Sequence, residues 1–181
     1  MANKQKHVVL GVTGSIAAYK SADIVRRLQE EGFCVSIIMT KGAEQFITPL
    51  TLASLSGKKV FREMFDVEGK DWQIDHVSLA DEADILLIAP ATANIISKLA
   101  CGIADDLLTC TALATKSPIV IAPAMNDGMY TNKILQENCA KLKKHGVEFV
   151  DPITGKLACG RNGKGHLADV ADIIKAVKRQ F

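Results

Sequence analysis

Apolar and polar positions follow one another along this chain in a recurring order: a short apolar run, a turn, then a stretch of helical period. Val8-Val9-Leu10 opens the first round and feeds Gly11-Val12-Thr13-Gly14-Ser15. Beyond it Ala17, Ser21, Ile24, Val25 and Leu28 share one helical face, with Lys20, Asp23, Arg27 and Glu30 opposite, the amphipathic pattern of a helix lying on a core. Cys34–Met39 reads as the second strand. Gly42–Phe46 is a short helical candidate that Pro49 ends, and Thr51–Leu55 a second one closed by Gly57. Val60–Gln73 mixes Phe61, Phe65 and Trp72 with charge and has no clean period. It is expected to be an excursion over the strand ends, closed by Ile74–Leu79.

A second round starts with the apolar run Ala83–Ala89, which is expected to break at Pro90 and to enter one long helix ending near Thr115. The third consists of Pro118–Ala122, the stretch Pro123–Tyr130 and a helix from about Asn132 to Lys144. Gly146 stops that helix before a short strand, Val147–Val150. Strands alternating with helices predict an α/β fold: a three-layer, Rossmann-like (flavodoxin-like), mostly parallel sheet with helices on both faces. No linker, repeat or low-complexity segment interrupts it, so residues 1–181 are expected to form one domain. The tail departs from the rhythm. Residues 151–169 carry Gly155, Gly160, Gly163 and Gly165 without period and predict a flexible flap, followed by a terminal helix, Val170–Gln180.

Composition narrows the function. A net charge of +2 and 5% aromatic residues give no footprint for nucleic acid, and no apolar run is long enough to span a membrane. Five cysteines (34, 101, 110, 139 and 159), without a CxxC pair, argue against a disulfide framework or a zinc site and for the reducing cytoplasm. Cys34, Cys101, Cys110 and Cys139 are expected to be small buried hydrophobes.

The first turn is where chemistry enters. A buried strand, a glycine turn and a helix start make a phosphate site. The third glycine of a dinucleotide fingerprint is missing, and the second strand ends at Thr40 and Lys41 without the acid that holds a ribose. A mononucleotide with a terminal phosphate therefore fits better than NAD. Loops 11–15, 90–94 and 123–130 should converge on one edge of a parallel sheet and line one pocket. No serine or cysteine triad, paired carboxylates or metal cluster appears there, so a bound organic cofactor is expected to carry the hard chemistry. His76 beside Asp75 is either a structural residue or a base. Cys159, flanked in the flap by Lys156 and Arg161, is the most activated thiol on charge grounds. Asn126 is a turn former or a ligand group, and Met125 and Met129 could simply pack on the core. Lys156, Arg161 and Lys164 suit an anionic ligand or a solvated surface.

Gly11-Val12-Thr13-Gly14-Ser15-Ile16, His76, the Ala89–Asn94 segment, Pro123-Ala124-Met125-Asn126-Asp127-Gly128-Met129-Tyr130 and Ala158-Cys159-Gly160 occur together. In this the chain resembles the flavin-dependent cysteine decarboxylases over nearly its whole length. The resemblance implies FMN as cofactor, with Gly14, Ser15, Ile16 and Thr40 at its phosphate and ribityl groups and Ala91, Thr92, Ala93, Asn94 and Ala124 completing the site. It further implies His76 and Cys159 as catalytic base and proton donor. Asn126 and Met125 would lie at the substrate carboxylate; for its phosphate the flap offers Lys156, Arg161 and Lys164 on charge grounds alone, against a solvated surface. The implied reaction is decarboxylation of 4′-phosphopantothenoylcysteine in coenzyme A synthesis, by a homo-oligomer (a trimer or a dodecamer of trimers) with flavin between subunits. Relatives fused to a synthetase domain exist, and the chain is expected to be a stand-alone form. Tyr130 stands where tryptophan is common, and His166 where arginine is usual. A flavin prenyltransferase, a peptide-cysteine decarboxylase and a flavin-binding regulatory subunit are the alternatives.

Overall fold

A computed structural model describes residues 5–65, 75–156, 160 and 162–181. Six strands form one all-parallel sheet in the order β3-β2-β1-β4-β5-β6. They are β1 (His7–Val12), β2 (Cys34–Met39), β3 (Val60–Phe61), β4 (Ile85–Ala91), β5 (Ile119–Pro123) and β6 (Glu148–Phe149). β1 lies at the centre, and all six of its residues are buried, as expected of a strand covered on both faces. On one face Val8, Leu10 and Val12 meet α1 (Ser21–Glu30), α2 (Pro49–Ser56) and α8 (Val170–Lys178) through Ile24, Leu28, Leu52, Ile173 and Val177. On the other, Val9, Leu86, Ile88 and Ile121 meet α3 (Asp75–Glu82), α4 (Ala93–Cys101), α5 (Leu107–Ala114) and α7 (Lys133–Lys144). A Cβ on Gly11 would lie 2.5 Å from Leu108 Cδ1, so the glycine lets α5 seat directly on β1.

The three-layer α/β expectation holds, and several boundaries move. Pro49 does not end a helix but begins one: Thr48 caps it, its hydroxyl accepting the Thr51 N–H, and the proline takes the first position, where no N–H is needed. The segment after Val60 contributes an edge strand instead of being wholly irregular, because Val60 and Phe61 pair with Ile37 and Ile38. His76 sits on helix α3, not in an irregular stretch. β4 runs through Pro90 to Ala91 with a register shift between Ile88 and Ala91, the proline ring replacing a donor the ladder does without. The long helix is two. Gly102, at φ 69°, closes α4, and Asp106 with Thr109 forms a capping box that restarts the chain as α5.

The flap is also more regular than its sequence predicts: β7 (Ile153–Lys156) and β8 (Asn162–His166) form an antiparallel two-stranded sheet. A four-residue helix, α6 (Asp127–Tyr130), lies within the Pro123–Tyr130 stretch. Among the described residues Cys139 is buried, Cys34 and Cys110 are partly exposed and Cys101 is exposed, so only Cys139 meets the expectation of a buried small hydrophobe. No helix of the described residues is long and apolar enough to cross a membrane.

Candidate active site

The carboxyl ends of β1, β4 and β5 open on one edge of the sheet, and short hydrogen bonds tie their loops together. Thr13, 2% exposed, donates its hydroxyl to the Pro90 carbonyl at 2.8 Å and accepts the Thr92 N–H at 3.0 Å. The Ala124 N–H donates to the Ala91 carbonyl at 3.0 Å. Thr40 donates to the Val12 carbonyl at 3.4 Å, adding the end of β2 to the group. A Cβ on Gly14 would stand 2.9 Å from the Gly42 backbone, so the loops after β1 and β2 touch main chain to main chain. Ser15 Oγ accepts the Ala17 N–H at 3.3 Å and caps a 3-10 turn, Ile16–Lys20, that continues into α1. Such a start presents N–H groups and the positive end of the helix to the space in front of it.

Two adjoining cavities occupy that space and share Gly14, Thr92 and Met129 on their walls. The smaller, about 480 Å³, has an apolar lining of Ile16, Tyr19, Ala93, Ala124, Met125 and Leu167, with Ser15, Lys20, Asn126 and His166 among its polar groups. The larger, about 700 Å³, is bordered by Thr13, Thr40, Lys41, Arg62, Asn94 and Lys98. Both volumes lie in the range of small-molecule sites. The cations of the larger cavity are matched by acids: Lys41 with Glu63 at 3.4 Å, Arg62 with Glu44 at 3.8 Å, and Lys98 with Asp105 at 2.7 Å and Asp106 at 3.3 Å. The hydrogen bond to Asp105 holds the Lys98 ammonium above its usual pKa and lowers that of the Asp105 carboxyl.

Asn126 accepts the Gly128 N–H on its side-chain oxygen at 2.9 Å, capping α6, while it lines the smaller cavity. It is both the turn former and a pocket residue. The hairpin meets this loop at close range. The Met125 N–H donates to the Gly165 carbonyl at 2.9 Å, a Cβ on Gly165 would overlap the Met125 carbonyl oxygen, and one on Gly163 would lie 2.6 Å from Asp127 Cβ. Met125 is partly buried against the core, whereas Met129 is half exposed and borders both cavities. Tyr130 donates to Asp151 at 3.3 Å, and burial is the main cause pushing its phenol up to about 12.

Gly14, Ser15, Ile16, Thr40, Thr92, Ala93, Asn94, Ala124, Met125 and Asn126 all border one or both cavities. Ala91 does not; it is fully buried at the end of β4 and serves through its carbonyl. Lys164 lines neither cavity and places its ammonium 5.6 Å above the Tyr130 ring. His76 also lines neither; its Nδ1 is buried without a hydrogen-bond partner among the described residues. Cys159 and Arg161 lie outside the described residues, as does the side chain of Lys156. Sequence reasoning passed over Thr13, whose paired hydrogen bonds are invisible without β4 alongside. It also passed over Lys20 and Tyr19, which the 3-10 geometry turns toward the cavity.

A profile of the flavoprotein family matches residues 1–181. The chain belongs to the flavoprotein family. A relative from Streptococcus mutans, named a probable phosphopantothenoylcysteine decarboxylase, is 45% identical over 178 residues, covering 97% of this chain and 99% of its own. The coenzyme A biosynthesis bifunctional protein CoaBC of Vibrio vulnificus is 43% identical over 97% of this chain. This flavoprotein spans 44% of that relative's length. Among solved structures, a PPC decarboxylase mutant complexed with pantothenoylaminoethenethiol superposes with a TM-score of 0.84 at 30% identity, covering 97% of this chain and 98% of that one. The FMN-dependent cysteine decarboxylase SpaF does so with 0.81 at 32%, covering 96% and 98%.

Proposed function

We propose that this flavoprotein binds FMN across the loops that follow β1, β2, β4 and β5. With it the protein decarboxylates 4′-phosphopantothenoylcysteine to 4′-phosphopantetheine, a carboxy-lyase step of coenzyme A synthesis in the cytoplasm. The observation that carries this reading is the meeting of Ser15, Thr92, Ala93, Ala124 and Asn126 around one largely apolar cavity beside a helix start. The names borne by the relatives and structural neighbours supply the chemistry that such a cavity fits. The contact of Gly14 with Gly42 leaves a side-chain-free cradle, with Ser15 bordering the smaller cavity and Thr40 the larger.

Bound FMN supplies a two-electron oxidation of the cysteinyl CH2–SH and its later reversal, which gives the electrons left by departing CO2 somewhere to go. The residues of the chain do the rest. Gly14, Ser15, Ile16 and Thr40 hold the phosphate and ribityl end, and Thr92, Ala93, Asn94 and Ala124 flank the ring. Asn126, its oxygen already fixed by the Gly128 N–H, orients the substrate carboxylate next to Met125. Orientation of this kind contributes several kcal/mol, up to about 7–11 in favourable systems. His76 takes up a proton in the first half of the reaction, and Cys159 delivers one to the product. Lys156 and Arg161 receive the substrate phosphate. Lys164 is already engaged over Tyr130, so His166 and Lys20, which line the smaller cavity, join that task.

Among the described residues His76 lines neither of the two cavities, and in this reading it serves the cavity of a second copy in a homo-oligomer, a trimer or a dodecamer of trimers. Val77 next to it is 42% exposed, and Ile16 and Tyr19 at the cavity mouth are 58% and 59% exposed, apolar surface that a neighbouring copy would cover. The test is direct. Purified protein is expected to release FMN on denaturation and to convert 4′-phosphopantothenoylcysteine to CO2 and 4′-phosphopantetheine, leaving a peptide with a C-terminal cysteine unchanged. Turnover of the peptide alone overturns the substrate assignment, and failure to take up FMN overturns the cofactor.

A further inference from the structure

The opposite edge of the sheet, at the amino ends of the strands, holds a second cluster of reactive side chains. Cys34 opens β2, His7 is its partner across the β1–β2 ladder, and Lys58 lies two residues before β3. Lys58 Nζ stands 2.7 Å from Cys34 Sγ. An N–H···O bond is about 2.9 Å long, and the larger radius of sulfur lengthens such a bond by roughly 0.3 Å, so this approach is closer than an ordinary hydrogen bond to a thiol. It is the separation expected of nitrogen and sulfur joined through one bridging oxygen. Cys34 is partly exposed and Lys58 exposed, so a small oxidant reaches both. Among the described residues Lys58 makes no salt bridge that would draw its ammonium elsewhere. Cys110, by contrast, faces Met64 Sδ and the Ala104 carbonyl, and Cys139 is buried. The neighbouring polar groups are fixed, His7 Nε2 lying 2.8 Å from Ser36 Oγ.

We propose that Cys34 and Lys58 form an oxidative modification site, at which a hydroperoxide links the two side chains through an oxygen atom into a reversible S–O–N bridge. One peroxide oxidises the thiolate: sulfur attacks the O–O bond, an S–OH forms, and the other oxygen leaves as water. A second peroxide takes two electrons from the neutral amine. The N–O bond forms, one N–H, the sulfenic O–H and the peroxide O–O bond break, and two waters leave. Sulfur and nitrogen each lose two electrons, which the two peroxides accept. The bridge replaces the Lys58 cation with a weakly basic nitrogen and fastens the start of β2 to the connection between α2 and β3. β3 continues directly into Arg62–Phe65, which wall the larger cavity, so the bridge anchors one margin of the site from outside it.

Limited treatment of the full chain with hydrogen peroxide, followed by peptide mapping, tests this. The expected product is a peptide pair joining Cys34 to Lys58, heavier by about 14 Da than the two separate peptides and resistant to trypsin after Lys58, that a thiol reductant returns to the starting masses. Lys58→Met is expected to abolish the pair while Cys34 still oxidises. Cys34 advancing to sulfinic or sulfonic acid with Lys58 free overturns the proposal. So does a joined pair lighter by about 2 Da, the mark of a direct S–N bond, or a 14 Da product that survives Lys58→Met.

Discussion

Two parts of the molecule come together at the smaller cavity, and they are built on opposite principles. The cradle consists of loops leaving parallel strands, each fixed by the buried sheet behind it and cross-tied through Thr13, Thr40 and Ala124. The hairpin β7–β8 belongs to no large sheet. It holds its place by lying flush on the Met125–Asp127 loop, and it can do so only where Gly163 and Gly165 present no side chain. Position thus comes from a shared core in one case and from surface fit in the other. The cradle should accordingly govern cofactor retention, and the hairpin should govern turnover.

That division can be broken or sharpened by substitution. The largest effect is expected from Gly165→Ala, whose methyl overlaps the Met125 carbonyl oxygen and lifts β8 off the loop. Overpacking of this kind costs about 1–3 kcal/mol, and decarboxylation should fall by roughly tenfold or more while FMN content is retained. Loss of FMN together with activity would show that the two parts are not separable. Gly14→Ala should do the reverse, since its methyl strikes the Gly42 backbone at 2.9 Å. Purified protein should carry substoichiometric FMN, measured by flavin release, with added FMN restoring part of the rate. Thr13→Val removes the hydroxyl between Pro90 and Thr92, leaving the Thr92 N–H without its acceptor and the Pro90 carbonyl with only the Thr13 N–H at 3.3 Å. A cost of about 1–3 kcal/mol should appear in denaturant unfolding.

The smallest effect lies away from both parts and serves as their control. Burial is the main cause lowering the His7 pKa below 6.5, with Lys58 adding to it against Glu82 and Asp84. Between the folded pKa and 6.5 the unfolded chain binds more protons, so stability falls as pH drops through this window and is fully present above it. His7→Gln should flatten that part of a thermal unfolding profile measured from pH 7.5 to 5 (roughly the imidazole range) without altering FMN content.

The same contrast explains what could be read from the chain alone. β1, β2 and α1 were legible because a buried strand and an amphipathic helix impose periods that survive in the residues, and the convergence of their loops follows from parallel topology. β3 was not, since two paired residues at an edge leave no period. The break between α4 and α5 had a signal in Gly102 and in Asp106 with Thr109, but the apolar pattern on either side outweighed it. The glycines at 155, 163 and 165 suggested freedom of motion, whereas two of the three are required by contact with a neighbouring loop. Residue spacing does not distinguish a glycine that permits movement from one that permits contact. His76 could be singled out by type, but its distance from the cavities depends on where α3 packs.

The backbone contact between Gly14 and Gly42 has a practical corollary. Neither loop can be redesigned alone, because a longer or bulkier turn after the first strand collides with the one after the second, however well it suits its own strand. Anyone transplanting this pocket onto another scaffold, or altering what it holds, must exchange the two segments as a matched set.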